Sequence, residues 1–196
     1  MTAWHAAAVR VAAVCGVLGP VAFVLAWTVG GLSTRGYAPL RDAISELARE
    51  GAATRPLMTA GFVAFGVLVP LWAVALRRVL GGAVAAAAAV AGLATLAVAL
   101  LPLSAEGGQP QDVAHALAAG TGYVAMAATP LLAAVALRRQ GRERAAAAST
   151  VVGLVSAVAL VGSVLLAQRS GGLQRLGLTV VDAWHVVVAA WVLRRR

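Results

Sequence analysis

Apolar residues in this chain gather in six long runs, at 11–30, 57–76, 82–103, 114–137, 145–167 and 176–193, with short polar stretches between them. Each run is close to the roughly 20 residues a helix needs to cross the hydrocarbon of a bilayer. Backbone groups in lipid must bond within their own segment, so the runs predict helices and not isolated strands. The pattern therefore predicts an all-α fold: one polytopic membrane bundle of six transmembrane helices, occupying residues 1–196 as a single domain. The first run is longer than the 7–15 residues of a signal-peptide core. No small-residue cleavage site follows it, so it is expected to stay as a signal anchor.

The polar stretches are unequal. The one after the first run reads STRGYAPLRDAISELAREGAATRP, long for a connection, and long loops are often functional. Leu40, Ile44 and Leu47 recur at i, i+4 and i+7, which is one face of a helix. Pro39 suits a first helical turn, and Gly51 suits a stop. The spacing predicts a short amphipathic helix over about 39–50, lying on the outer membrane surface and capping the bundle. Ser45 sits beside its apolar stripe.

Charge adds an orientation. All 16 basic residues are Arg, against seven acids, for a net charge of +9. Ten of them (Arg10, Arg77, Arg78, Arg138, Arg139, Arg142, Arg144, Arg194, Arg195, Arg196) flank one side of the runs. Six (Arg35, Arg41, Arg49, Arg55, Arg169, Arg175) flank the other. By the positive-inside rule the first side is cytoplasmic, with both termini on it. The Arg residues form no single basic face, so nucleic acid is not an expected partner.

Composition agrees: 61% hydrophobic and 12% charged residues cannot cover a water-soluble surface, which carries about 25% charge on average. Absent Lys and abundant Ala, Val, Gly and Arg suggest a bacterium with a GC-rich genome, actinobacterial by composition. The plasma membrane is then the expected location. Cys15, the single cysteine, lies inside the first run and offers neither a disulfide nor a cysteine metal site. Gly and Pro inside the runs suggest close helix packing and kinks at Pro20, Pro70 and Pro130. Residues 61–78 align without gaps with 122–139, matching at ten of eighteen positions. This predicts that the second and fourth helices are equivalent elements.

Polar residues within or near the runs carry the candidate chemistry. Asp182 is expected about six residues inside the sixth span, where a carboxylate costs about 2.5–3.5 kcal/mol and needs a partner. Arg175, Thr179, Asp182 and His185 fall on one side of that helix, and Arg175, His185 or Arg41 could pair with the acid. Asp112 and His115 stand at the entrance of the fourth span, Gln174 and Arg175 at that of the sixth. Two Asp-x-x-His pairs could hold a metal, but His185 is expected about 13 Å deeper than His115. No metal and no cofactor are expected. A triad built on Ser45 and His115 is conceivable from geometry, without a nucleophile-elbow context.

Several stretches resemble a known family. YAPLRDAISELAREG, RPLMTAGFVAFG, LPLS and QRLGLTVVDAW are similar to the bacterial domain-of-unknown-function 998 family, over about residues 11–193. The resemblance implies a six-span membrane protein and supplies no reaction. Its most specific parts are Tyr37, Pro39, Ile44, Ser45 and Leu47, and the stretch from Gln174 and Arg175 to Asp182 and Trp184.

The expected function is binding at an outer-facing polar pocket lined by Arg41, Ser45, Glu46, Asp112, His115, Gln174, Arg175 and Asp182. Its ligand would be a membrane lipid headgroup or another small lipid-like amphiphile. Alternatively the same surface serves an accessory subunit, in a homo-oligomer or against a membrane-protein partner. Two rivals remain: an enzyme acting on a lipid or isoprenoid with Asp182 or Glu46 as acid/base, and a proton-coupled transporter using Asp182.

Overall fold

The structure is a computed structural model describing residues 3–194. Six helices account for nearly all of it: α1 (Ala3–Ser33), α2 (Arg55–Val79), α3 (Gly82–Leu100), α4 (Pro110–Arg139), α5 (Glu143–Leu165) and α6 (Ser170–Arg194). All six are long and apolar enough to cross a membrane, with mean hydropathies of 1.5–2.3. Side chains such as Leu18, Leu25, Val124, Val158 and Val187 stand exposed on the outside, the surface that hydrocarbon covers. Arg195 and Arg196, counted above for orientation, lie outside the described residues.

The helices pack in chain order, each on the next, and α6 returns to α1 to close a ring; α4 also touches α6. Lipid supplies no hydrophobic drive between helices, so close fit must hold them. Gly16 shows how: a Cβ there would lie 2.6 Å from the ring of Trp72, which is fully buried on α2. Against the other neighbour of α2, Gly92 of α3 seats on the ring of Pro70. Phe62 and Phe65 of α2, and Tyr123 and Met126 at the aligned positions of α4, line one internal cavity.

Most helices run past the apolar runs that announced them. The difference that moves the candidate site is at α6, which begins at Ser170, six residues before its run. Asp182 is therefore its thirteenth residue, roughly 18 Å from its start at 1.5 Å per residue, twice the expected depth. The extra turns are affordable because their polar groups find partners in the first loop, described next.

The first loop holds no helix over 39–50. Turns at 39–42 lead to a five-residue 3-10 helix, Ile44–Ala48. Leu40 is exposed while Ile44, Leu47 and Ala48 are buried, so the expected stripe is not one face. The short helix packs on α1, α2 and α6, pressed into the end of the ring.

Candidate functional site

A helix from Pro39 would need the Pro39 and Asp42 carbonyls for its own backbone. Both are taken by Arg175 of α6, whose Nη1 donates to Pro39 O at 2.6 Å and to Asp42 O at 2.9 Å. The same nitrogen donates to Gly171 O at 2.9 Å, and Nη2 donates to the Tyr37 hydroxyl. The guanidinium also lies 5.3 Å from the Trp27 ring centre and 5.4 Å from that of Tyr37, within cation–π reach. Tyr37 in turn donates to Ala43 O at 2.9 Å and Asp42 O at 3.2 Å. Burial pushes its phenol up from the ordinary value, so the hydroxyl keeps its proton.

The loop repays α6 at its first turn. The N–H groups of Gly171 and Gly172 donate to Arg41 O at 3.2 Å and Leu40 O at 2.8 Å, satisfying donors that a helix start leaves unpaired. This needs backbone against backbone: a Cβ on Gly171 would fall on the Pro39 and Asp42 carbonyl oxygens. Gln174 adds a bridge. Its Oε1 accepts from Ile44 N–H at 2.8 Å, and its amide donates to the Tyr123 hydroxyl on α4.

The remaining polar residues of this end bind the loops to each other. Arg49 grips both oxygens of Glu46, at 2.7 and 2.8 Å, and donates to Ser104 O. Asp112 caps α4: its carboxylate accepts from Ser104 N–H and hydroxyl, both at 2.7 Å, and from Gln109 N–H at 3.0 Å. Arg41 is exposed and pairs with Asp42 at 2.8 Å. That hydrogen bond, followed by one from Ala38 N–H, holds the Asp42 carboxyl below the usual carboxylate value.

Beneath this cover lies a small cavity of about 50 Å³. It is a narrow slot. Its walls are largely apolar: Phe23, Phe62, Phe65, Val98, Met126 and Leu178. Polar groups enter from Ser45, Thr95, His115, Tyr123 and Gln174. Thr95 spends its hydroxyl on Ala91 O at 2.9 Å. His115 places Nδ1 2.6 Å from Leu101 O. A carbonyl only accepts, so Nδ1 carries the hydrogen and a neutral ring keeps its lone pair on Nε2.

Of the eight expected pocket residues, Ser45, His115 and Gln174 line this cavity. Arg41, Glu46, Asp112 and Arg175 are consumed in loop and cap contacts. Asp182 is elsewhere. It is 2% exposed, is not on the cavity wall, and neither carboxylate oxygen has a hydrogen-bond partner. The expected partners are spoken for or out of place: Arg175 and Arg41 as above, while His185 accepts at Nδ1 from Trp72 Nε1–H at 3.0 Å. His185 Nε2 is likewise unpartnered. The two Asp-x-x-His pairs do not converge: Asp112 is engaged in its cap, and Asp182 lies many turns deeper in its own helix.

Sequence reasoning missed the aromatic and small residues of the wall. Phe62 and Phe65 of α2, and Ala118, Ala119, Gly122 and Tyr123 of α4, were legible only as generic apolar sequence. Gly171 and Gly172 were missed as well, since their partners are backbone groups more than a hundred residues away, and Tyr37 stood out only through the family resemblance.

A family model described as a protein of unknown function (DUF998) matches residues 17–191, and the chain belongs to that family. It matches no curated protein and no solved structure.

Proposed function

We propose that this member of the DUF998 family is a bacterial plasma-membrane protein that holds a small amphiphile in the capped cavity. The termini face the cytoplasm and the first loop faces outward, in keeping with the distribution of Arg. One observation carries the reading: a narrow apolar slot whose polar groups come from the loop (Ser45), the loop-ward turns of α4 and α6 (His115 and Gln174) and the middle of α4 (Tyr123). Ligand sites are typically apolar clefts with few placed polar groups. The apolar walls suit a slender hydrocarbon segment, and a hydroxyl or carboxyl head suits the Ser45 hydroxyl and the His115 ring.

Acid/base chemistry by Glu46 or Asp182 draws no support from this geometry, because Arg49 holds the first and the second is off the wall. An accessory role would use the same loop face, against a membrane-protein partner or a second copy.

The test is mass spectrometry of lipids retained by the detergent-purified protein, wild type beside Ala119→Phe, which fills the slot. A specific amphiphile held by the wild type and missing from a folded variant is the expected result. Identical retained lipids in both forms would overturn the reading.

A further inference from the structure

Between α4 and α5 lies a groove with about 850 Å³ of atom-free volume, lined by Gly120, Val124, Ala128, Leu131, Val161 and Val164 among others. Val124, Val161 and Val164 are 73%, 58% and 75% exposed, so the groove opens on the hydrocarbon side of the bundle. Its one polar side chain is Tyr123, and Tyr123 also lines the internal cavity. We infer that this groove is the lateral entrance to the cavity and the binding site for a lipid hydrocarbon chain, with Tyr123 as the gate between the two. The inference rests on the amphiphile reading above and adds to it a route and a second site.

Two independent features support it. The gate has a bar: the Tyr123 hydroxyl accepts from the Gln174 amide, and Gln174 Oε1 accepts from Ile44 N–H. The state of the first loop is therefore coupled to the side chain that separates groove from cavity. The second feature is Gly120. Glycine inside a helix is disfavoured against alanine, and in membrane helices it normally admits a neighbour. Gly122, Gly153 and Gly177 each face one, yet a Cβ on Gly120 would meet nothing within 4 Å. What its missing side chain leaves open is the groove.

The occupant is hydrocarbon because the medium around a span is hydrocarbon, and nothing in the lining besides Tyr123 offers a hydrogen bond. The amphiphile then lies with its head under Ser45 and His115 and its chain passing Tyr123 into the groove. Its head never has to cross the loop cover.

The experiment uses the full chain in phosphatidylcholine vesicles containing palmitic acid with a mid-chain diazirine. Light-induced cross-links are mapped by peptide mass spectrometry. In the wild type, label is expected on cavity residues Phe62 and Phe65 and on groove residues Val161 and Val164. Gly120→Leu and Val161→Trp fill the groove from the lipid side without touching the cavity wall. Each should lower cavity labelling about tenfold, equivalent to about 1.4 kcal/mol. Val158→Trp, which is 72% exposed at the native residue but off the groove, should leave it unchanged. Tyr123→Phe removes the bar and should speed cavity labelling. Cavity labelling equal to wild type in both groove variants overturns the entrance and leaves the cavity reading standing. An unlabelled cavity in the wild type overturns both. An unlabelled groove that instead cross-links two copies of the chain overturns the lipid site in favour of a protein interface.

Discussion

Arg175 and Asp182 sit on the same helix, seven residues and roughly 10 Å apart, and both are almost wholly buried. Their surroundings are opposite. Arg175 donates to three backbone carbonyls and a phenol and lies against two aromatic rings. Asp182 has no hydrogen-bond partner on either oxygen. Buried ionisable side chains are thus placed in two ways along one helix. Where the bundle meets the loops it is a lock, because irregular backbone supplies free carbonyls. Deeper in, every carbonyl is committed to a helix, and the acid is left alone.

Breaking the lock should have the largest effect. Arg175→Leu leaves the Pro39 carbonyl without its donor and takes the charged donor from Asp42 O, and a buried group left unsatisfied costs about 1–3 kcal/mol. Thermal unfolding in detergent should fall accordingly, and the first loop should become open to protease. Arg175→Lys should recover only part, since an ammonium lacks the fork that spans these acceptors. A variant as stable as wild type would remove the contrast.

Asp182→Leu should go the other way. Removing a buried polar group that has no partner returns its desolvation cost, about 1–3 kcal/mol, so the melting temperature should hold or rise. A large loss of stability would mean that the carboxyl has a partner in the bilayer, and the comparison would have to be redrawn.

The smallest effect sharpens the loop side. Arg41 and Ala38 N–H hold the folded Asp42 carboxyl below its ordinary value. Stability from a lowered acid is present above the unfolded value and is lost as pH falls through the folded one. Hydrogen exchange of residues 37–44 should therefore be slow at neutral pH and quicken below the normal carboxylate range. Asp42→Asn should flatten that acid dependence.

The six spans were legible because lipid imposes a length and a polarity on each helix independently of the rest. Their ends were less so. α6 gains six residues at its start because Arg41 O and Leu40 O accept its first N–H groups, a partnership that no local pattern encodes. The first loop misled for the mirror reason. Leu40, Ile44 and Leu47 have helical spacing, but Arg175 and Tyr37 capture the carbonyls a helix would use, and Ala43 is left extended at φ −66°, ψ 153°. Within the site, Ser45, His115 and Gln174 were found as polar residues near one end of the spans. The apolar wall was not, since Phe62, Phe65 and Met126 look like any other membrane-span residues until the helices are placed.

The lock also orders events in time. Chain growth delivers the first loop long before α6, yet that loop takes its shape from Arg175, Gln174 and the opening turn of α6. Until the sixth span has entered the bilayer, the Pro39 carbonyl has only water to bind, and Ile44 has no amide to hold it over the slot. A span synthesised after the loop thus closes the lid that the loop forms, and a chain stopped after α5 would be left with its cavity uncovered.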